Sequence, residues 1–443
     1  MGVVTQIKDL DNTSNLQFPK GYIMPNVKFL PYTPCGSVTA PPSKSDVHRA
    51  IICAALSGGR CTISPVALSN DIKATISCVE ALGAKTEIVN DVLSVDGTDI
   101  FKNKSAVLDC TESGSTLRFL IPIAAAGGVE AEFRGSGSLV TRPIGLYSEI
   151  LPQKGVTLES EGGLPLKISG QLKSGIYRVP GDISSQFISG LLFALPLLRG
   201  DSDIVLTSPI QSAGYINMTI RTMEKFGIEV DVTDTGWHVR GSQHYIPSDY
   251  LTDGDWSQAA FYLVSGAVNG EITVNNLNTD SKQGDRKIAE LLREFGAEVI
   301  QEADSVTVKK SGMKAIEINA SQIPDLVPAL AVCAAFADGT TKITNAERLR
   351  IKESDRLKST AALSNSLGGE AVELPGGLEI TGGKSLIGGT AKGFNDHRIV
   401  MSAAVCSAGS QNPIICTDAL SVNKSYPQFF EDYNSVGGKA EII

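Results

Sequence analysis

The chain has 443 residues, of which 42% are hydrophobic and 20% charged, a composition typical of a folded protein with a sizeable core. At roughly 150 residues per domain, the length suggests two large domains or three smaller ones. The formal charge of −9 disfavours nucleic acid and anionic membrane surfaces as partners, although it allows a local basic pocket.

The N-terminus and the cysteines both predict a cytoplasmic protein. The first residues lack the charged start and apolar run of a signal peptide, and no apolar run approaches the roughly 18 residues of a membrane span. None of the eight cysteines forms a CxxC pair and most lie in apolar stretches, so we expect reduced core residues rather than disulfides or a zinc site. Four scattered histidines likewise do not predict a metal site.

Six helices of one kind are predicted along the chain. Each is apolar nearly all round, which predicts burial, and each opens with small or anionic residues that suit an N-cap. In chain order, the six helices begin near Ser45, Gly114, Ser184, Asp255, Asp325 and Asp396.

A glycine follows each helix start by about 40 residues and opens an alternating strand, a turn and a second strand. The six glycines, spaced about 70 residues apart, are Gly83, Gly155, Gly227, Gly296, Gly368 and Gly437. Such a glycine fits the left-handed residue at a helix C-cap, and the alternation fits a hairpin with one buried face. The pattern predicts an α/β protein of six repeated βαβαββ-type units, the last of which is cut short.

Cations crowd the predicted helix starts, where a buried helix does not need them. They are Lys44, His48, Arg49, Arg118, His397 and Arg398. If the helices pack in parallel, their N-termini meet on one side, where free N–H groups and aligned dipoles would hold anions. Added Lys and Arg side chains would make a phosphate or carboxylate pocket there. The residues alone therefore predict a six-repeat α/β protein that binds a polyanionic small molecule.

Five motifs resemble those of the enolpyruvyl transferases, most closely the EPSP synthase family. They are PPSKSDVHRA at 41–50, SLVTRPI at 138–144, PGDISSQF at 180–187, RIKESDRL at 350–357 and FNDHR at 394–398, in the family's order and spacing. The resemblance covers roughly residues 25–440. It implies two domains, each an inside-out α/β barrel of three units, with the active site in the cleft between them.

The resemblance also implies where the domains divide. Residues 43–252 would form the N-terminal three-repeat domain, and residues 23–42 with 253–443 the C-terminal one, so that the chain crosses twice. The stretch 240–255 has the composition of a linker. Residues 1–22 match no repeat and are predicted to be a mobile extension. We expect a monomer.

The implied reaction joins phosphoenolpyruvate to shikimate 3-phosphate. The 5-hydroxyl attacks the middle carbon of the enol, the methylene carbon is protonated, and a tetrahedral intermediate then loses a proton and phosphate. The family uses no metal or organic cofactor, and glyphosate inhibits it at the phosphoenolpyruvate site. Since both substrates carry phosphate and carboxylate, the site needs many cations, hydroxyl donors and an acid–base pair.

The motifs carry the family's ligand-binding residues onto this chain. For shikimate 3-phosphate the resemblance implies Lys44, Ser45, Arg49, Ser184, Ser185, Gln186, Ser212, Asp325 and Lys352. For phosphoenolpyruvate it implies Lys44, Gly114, Arg142, Gln186, Arg356, Arg398 and Lys424. Planar guanidinium groups suit the second substrate because they can grip a carboxylate or phosphate with two bonds.

The implied catalytic residues are Asp325, Glu353 and Lys44. Asp325 would take the proton from the attacking hydroxyl, and Glu353 would handle the proton at the methylene carbon. Neighbouring cations depress the pKa of a carboxylate, whereas an acid needs it raised, so which carboxylate acts in which step stays open. Tyr215 is either a ring lining the shikimate pocket or a core tyrosine.

Two positions depart from the family pattern. Glu112 stands in a Glu-Ser-Gly-Ser segment where many relatives have Asn-Ala-Gly-Thr, and Arg348 stands where some relatives carry Asn. A carboxylate beside an anion site is unfavourable, so we expect Glu112 to point away or to pair with a cation.

Two other functions are weighed against this one. One is the enolpyruvyl transferase acting on UDP-N-acetylglucosamine, but its SGxKNAA-type motif is replaced here by SKSDVHR, and no cysteine lies in the loop before Arg142. The other is a non-catalytic anion-binding relative. The presence of Asp325, Glu353 and the arginine set argues against it.

Overall fold

The structure is a computed structural model that describes residues 24–443. The predicted extension at residues 1–22 lies outside the described residues. Within the described range, no helix is long and apolar enough to cross a membrane.

The helices are few and mostly short. In the described chain they are α1 (Lys44–Leu56), α2 (Asn70–Ala81), α3 (Gly114–Ala126), α4 (Gly145–Ile150), α5 (Ser185–Ala194), α6 (Ala213–Lys225), α7 (Trp256–Asn269), α8 (Ile288–Phe295), α9 (Val327–Phe336), α10 (Arg356–Ser366), α11 (His397–Cys406) and α12 (Phe429–Ser435). The six predicted buried helices are α1, α3, α5, α7, α9 and α11. They begin within two residues of the predicted positions, and nearly all of their residues are buried.

The strands are equally short. In the same part of the chain they are β1 (Val27–Phe29), β2 (Cys35–Thr39), β3 (Arg60–Ser64), β4 (Lys85–Val89), β5 (Val92–Asp96), β6 (Ser105–Asp109), β7 (Glu130–Arg134), β8 (Val156–Glu159), β9 (Leu166–Gly170), β10 (Gly175–Val179), β11 (Ser202–Leu206), β12 (Asp231–Thr233), β13 (Gly236–Val239), β14 (Tyr250–Leu251), β15 (Glu271–Asn275), β16 (Glu298–Gln301), β17 (Ser305–Lys309), β18 (Glu317–Asn319), β19 (Thr340–Thr344), β20 (Glu370–Leu374), β21 (Gly377–Thr381), β22 (Gly389–Ala391), β23 (Ile414–Cys416) and β24 (Ala440–Ile442).

The strands form six four-stranded sheets, which confirm the six predicted units. Three sheets use consecutive strands, in the orders β6-β7-β9-β8, β10-β11-β13-β12 and β18-β19-β21-β20. In each, the first pair is parallel and encloses a buried helix, and the second pair is an antiparallel hairpin. All six repeat glycines have positive φ, between 79° and 118°, as the C-cap prediction requires.

The remaining three sheets each take one strand from a distant part of the chain. β14 pairs in parallel with β3, and β2 pairs in parallel with β15. β1 lies between β23 and β24, antiparallel to both. The truncated last unit is therefore completed by a strand from near the start of the chain.

Two separate sets of buried apolar residues hold these units together. The N-terminal core contains buried residues between positions 47 and 245, and the C-terminal core contains those at 27–40 and 256–436. Because the helices are buried on nearly all sides while the strands alternate between buried and exposed positions, the helices lie inside and the sheets outside. Residues at the starts of α1, α3, α5 and α11 line a cavity between the two cores.

The chain passes between the two cores in two segments that pair with each other. Pro42 forms a β-bridge with Gly254, and the Ser43 amide donates to the Asp253 carbonyl at 2.8 Å. The two passages are therefore tied together beside the start of α1, next to the cleft.

Candidate active site

A cavity in the cleft is lined from both cores, mostly by residues at the starts of the buried helices. Its lining residues include Lys44, Ser45 and Arg49 from α1, Gly114, Ser115 and Arg118 from α3, Ser184, Ser185 and Gln186 at α5, and His397 and Arg398 from α11. Further lining residues are Asp71, Arg142, Ser212, Tyr215, Asp325, Arg348, Lys352, Glu353 and Arg356. The cavity therefore holds every site residue expected from the sequence except Lys424.

Asp325 lines this cavity, but it does not cap a helix. It belongs to a short 3₁₀ turn, Pro324–Leu326, that precedes α9, because prolines on both sides favour the tighter turn. Its Oδ1 lies 2.8 Å from Arg356 Nη1 and 3.3 Å from Lys352 Nζ, and its Oδ2 accepts a hydrogen bond from the Tyr215 hydroxyl at 2.7 Å. Tyr215 thus faces the cavity, which favours the pocket-lining interpretation over the core one.

The charge state of Asp325 follows from two opposing effects. Burial raises the pKa of the carboxyl group, but Lys352, Arg398 and Arg356 outweigh that effect and hold the pKa well below its usual value. At neutral pH the group is therefore an ionised carboxylate and can accept a proton.

Glu353 is held in the same way on the other side of one arginine. Its Oε2 lies 2.6 Å from Arg356 Nη2, and its Oε1 lies 3.5 Å from Arg142 Nη2. Burial raises the pKa of Glu353, but Arg356 and Arg142 lower it by a larger amount. The pKa of Glu353 is therefore well below its ordinary value. The cavity is therefore lined by two ionised carboxylates joined by the Arg356 guanidinium.

Arg356 is the most constrained of these cations. It is 2% exposed, and besides contacting the two carboxylates it donates from Nε to Asp396 Oδ2 at 2.8 Å. Asp396 also caps α11 by accepting from the Arg398 amide at 3.0 Å. Asp396 is thus buried and hydrogen-bonded, and it caps a helix as predicted.

Arg49 and Arg118 differ from Arg356 in having neutral partners. Arg49 donates to Thr219 Oγ1 at 2.8 Å, to the Ser45 carbonyl at 2.6 Å and to the Tyr215 carbonyl at 2.9 Å. Arg118 donates to Gln186 Oε1 at 2.6 Å. Burial lowers the pKa of each guanidinium to about 10, so both stay charged at neutral pH. These two cations can therefore receive an anion without releasing a carboxylate.

Lys44 lies where the two cores meet. Its Nζ is 2.7 Å from Asp71 Oδ2, and its backbone amide donates to Asp255 Oδ2 at 3.1 Å. The other oxygen of Asp255 accepts from the Gln258 amide at 3.0 Å and so caps α7. The predicted cap at Asp255 is confirmed, and the same carboxylate binds the start of α1 across the chain crossing.

Gly114 opens α3 where backbone and cations approach closely. A methyl group added to Gly114 would lie 2.9 Å from Arg142 Nη1 and 3.0 Å from Arg118 Nη1. The N-terminus of α3 is capped by Ser113, whose hydroxyl accepts a hydrogen bond from the Thr116 amide at 3.3 Å. The absent side chain therefore leaves room for the guanidinium groups at the cavity wall.

Lys424 does not line the cavity. Its ammonium is buried between Glu112 Oε2 at 2.9 Å and the Asn395 carbonyl at 2.6 Å. Glu112 therefore pairs with a cation, as expected from the sequence, and the cation is one that the motifs assign to phosphoenolpyruvate.

Two charged residues that line the cavity were not predicted as site residues. Asp71 lies in the first turn of α2, and the sequence does not reveal that this turn faces the cleft. Arg348 was noted only as a departure. It donates to the Ser212 hydroxyl at 2.8 Å and to the Ser321 carbonyl at 3.0 Å, so it joins the two cores. Its position just before the RIKESDRL motif was the available signal.

The remaining features are the charge of the lining residue His397 and the arrangement of the metal-ligating side chains. Burial lowers the pKa of His397 well below its ordinary value, so this lining residue is neutral at neutral pH. Among residues 24–443, no group of three or more His, Cys, Asp or Glu side chains is arranged to hold a metal ion.

Comparisons with known proteins agree with the motifs. The sequence model of the EPSP synthase (3-phosphoshikimate 1-carboxyvinyltransferase) family matches residues 34–433. The 3-phosphoshikimate 1-carboxyvinyltransferase of Clostridium kluyveri is 46% identical over 408 residues, which cover 92% of this chain and 96% of the relative. That of Clostridium novyi is 43% identical over 426 residues, which cover 94% and 98%.

Solved structures share the fold. The EPSP synthase of Acinetobacter baumannii superimposes with a TM-score of 0.80 at 25% identity, over 94% of this chain and all of that one. The enolpyruvyl transferase NikO of Streptomyces tendae has a TM-score of 0.77 at 14% identity, over 95% of this chain and 99% of that one.

Proposed function

The chain belongs to the EPSP synthase family, and we propose that its cleft transfers the enolpyruvyl group of phosphoenolpyruvate to the 5-hydroxyl of shikimate 3-phosphate. The products are 5-enolpyruvylshikimate 3-phosphate and phosphate, and the reaction serves the synthesis of chorismate and aromatic amino acids. The observation that carries this proposal is the pair of ionised carboxylates, Asp325 and Glu353, joined by Arg356 within a cluster of cations.

Shikimate 3-phosphate would bind beside Arg49 on the N-terminal side of the cleft. Ser45 and Ser184 lie at helix starts, where short hydroxyls and free amides suit a phosphate without adding charge. The remaining residues proposed for this substrate are Lys44, Ser185, Gln186, Ser212, Asp325 and Lys352. The neutral partners of Arg49 support this assignment because the guanidinium charge is not already neutralised.

Phosphoenolpyruvate would bind between Arg142 of the N-terminal side and Arg356 and Arg398 of the C-terminal side. Lys44, Gly114, Gln186 and Lys424 complete the proposed set. Guanidinium groups from both sides of the cleft suit a ligand with a carboxylate at one end and a phosphate at the other.

In the proposed mechanism Asp325 acts as the base. Its low pKa keeps it ionised, and it would take the proton of the attacking 5-hydroxyl as the oxygen adds to the middle carbon of phosphoenolpyruvate. Glu353 would deliver the proton to the methylene carbon and later remove one as phosphate leaves. The leaving phosphate would take the hydroxyl proton from Asp325, so that both carboxyl groups return to their starting protonation states.

The low pKa of Glu353 does not contradict its role as an acid. The pKa is depressed by Arg356 and Arg142, which are the cations proposed to bind phosphoenolpyruvate. A bound dianion or trianion would offset their charge, so the pKa of Glu353 would rise when the substrate arrives. The carboxyl group would then hold a proton at the stage that needs an acid.

The domain division expected from the sequence is also a proposal. Residues 43–252 would form the N-terminal domain, and residues 23–42 with 253–443 the C-terminal domain. The two separate cores and the exchange of β2 and β14 between distant sheets support it. We further propose that the protein works as a monomer in the cytoplasm, without a metal or organic cofactor and without nucleic acid.

One assay tests the function directly. Phosphate release from phosphoenolpyruvate is measured with shikimate 3-phosphate, with UDP-N-acetylglucosamine and with no acceptor. We expect release only with shikimate 3-phosphate and none from the Asp325→Asn variant. Release with UDP-N-acetylglucosamine would favour the related transferase. No release with any acceptor, although calorimetry detects binding of both substrates, would favour a non-catalytic anion-binding relative.

A further inference from the structure

A carboxylate stands at the edge of the proposed phosphoenolpyruvate site, where bound anions make it unfavourable. Glu112 lies in the loop before α3, on the N-terminal side of the cleft. Its partners, Lys424 and Asn395, lie on the C-terminal side, near α11. The contact therefore joins the two sides of the cleft at the phosphoenolpyruvate end.

The Lys424 ammonium is held away from the cavity by this contact. It donates to Glu112 Oε2 at 2.9 Å and to the Asn395 carbonyl at 2.6 Å, and its side chain is 7% exposed. A cation held this way is not available at the cavity wall.

The surroundings of Glu112 partly shield its ion pair with Lys424 from water. Its side chain is 23% exposed, and Asn395 Nδ2 donates to the same carboxylate at 3.2 Å. Gly137, in the segment that leads to Arg142, packs so closely that a methyl group there would collide with the carboxylate. The pair is thus less screened by water than an open surface pair.

We propose that Glu112 is an affinity-determining residue, an internal anion that competes with phosphoenolpyruvate for Lys424. The proposal rests on the assignment of Lys424 to phosphoenolpyruvate in the proposed function. A ligand phosphate or carboxylate and the Glu112 carboxylate carry like charges, so binding of one at the ammonium disfavours the other. An amide at position 112 would keep the size of the side chain and remove the negative charge that competes with the ligand for the ammonium.

The substitution Glu112→Gln separates this role from a structural one. If the carboxylate competes, the variant lowers the KM for phosphoenolpyruvate by roughly three- to tenfold, the range expected when a partly screened ion pair no longer opposes binding. The KM for shikimate 3-phosphate stays within about twofold, since Arg49 and its hydroxyl partners lie at the other end of the cavity. A control, Glu130→Gln, removes the same charge from an exposed position on β7 and leaves both constants unchanged.

Measurements on Lys424→Gln and Glu112→Gln distinguish the ways in which the proposal could be wrong. If Lys424→Gln leaves the KM for phosphoenolpyruvate unchanged, the assignment of Lys424 is wrong and the competition falls with it. If Lys424→Gln raises that KM but Glu112→Gln leaves it unchanged or raises it, only the role of Glu112 is overturned. A rise in both substrate constants with a lowered melting temperature in Glu112→Gln would make the pair a structural contact. In the Lys424→Gln background, competition predicts that Glu112→Gln has no further effect.

Discussion

The two ends of the cleft hold their cations in different ways. At the shikimate end, Arg49 donates to hydroxyl and carbonyl oxygens and lies over the aromatic ring of Phe119. At the phosphoenolpyruvate end, Arg142, Arg356 and Arg398 each lie within 4 Å of a carboxylate oxygen, and Arg356 alone contacts three carboxylates. The guanidinium of Arg49 therefore has only neutral hydrogen-bond partners, whereas the three arginines at the other end are already paired with carboxylates.

This difference suggests that the shikimate end mainly binds its ligand, whereas the phosphoenolpyruvate end also controls the ionisation of the catalytic carboxylates. A phosphate that binds Arg49 at the shikimate end meets a guanidinium whose hydrogen-bond partners are neutral. An anion entering the other end must share its cations with Asp325 and Glu353, and by doing so it changes the proton affinity of both. The second substrate therefore sets the ionisation of the groups that act on it.

The largest effect is expected from removing the charge of the base. Asp325→Asn keeps the size of the side chain and can still bond to Tyr215 and Arg356, but it cannot accept the hydroxyl proton. Turnover should fall by roughly 10²–10⁴-fold while both ligands still bind, as judged by phosphate release and calorimetry. A variant that keeps more than about a tenth of the wild-type rate would show that another group is the base.

Stability provides a second test of the comparison. Arg356→Met leaves Asp325, Glu353 and Asp396 without their shared cation, so the free energy of unfolding should drop by about 3–5 kcal/mol. Arg49→Met, the matched change at the other end, breaks bonds to neutral groups only and should cost about 1–2 kcal/mol. Urea denaturation of the two variants gives the difference, and equal losses would mean that the two ends are not distinct.

Selective loss of one substrate is expected from Arg142→Ala. The guanidinium reaches across the cleft to Glu353 and to the Lys352 carbonyl, at 3.1 Å, and is proposed to grip phosphoenolpyruvate. Affinity for phosphoenolpyruvate should fall by about 2–3 kcal/mol, and affinity for shikimate 3-phosphate far less. Calorimetry with each ligand decides, with exposed Arg134→Ala as the control. Equal losses would mean that Arg142 serves both substrates.

The repeated architecture could be predicted from the sequence because its determinants are local. Each buried helix needs a cap and an apolar surface, and each following glycine needs a left-handed backbone, so both leave a pattern within a few residues. The exception was Asp325, predicted at a helix start and found in a 3₁₀ turn, because Pro324 and Pro328 favour the tighter turn there. The strand exchange that places β14 beside β3 depends on tertiary packing and leaves no such local signal.

Site residues could be predicted from the sequence where they belong to recognisable motifs. The contacts between residues far apart in the chain could not, because they depend on tertiary packing. Arg356 and Glu353 lie three residues apart, so their contact is within reach of the sequence. Lys424 and Glu112 lie 312 residues apart, and their pairing removes from the cavity wall a cation that the motif assigns to it. Asp71 was missed for the same reason, since only the packing of α2 turns it toward Lys44.

The smallest expected effect comes from Gly114→Ala, at the phosphoenolpyruvate end of the cleft. Gly114 opens α3 in a helical conformation, so alanine introduces no left-handed strain, and the added methyl group meets the flexible ends of Arg142 and Arg118. The guanidinium groups must shift toward the ligand space, at a cost of about 1–3 kcal/mol when the ligand fills that space.

Glyphosate, the family's inhibitor at this site, is longer than phosphoenolpyruvate and should be affected more. Its inhibition constant should therefore rise by a larger factor than the KM for phosphoenolpyruvate, while the melting temperature stays near that of the wild type. Gly145→Ala is a matched control, because Gly145 opens α4 with open space around its missing side chain. A parallel rise in both constants with a lowered melting temperature would show that Gly114 serves the fold rather than the pocket, and that the close approach of Arg142 and Arg118 to the backbone does not select among anions.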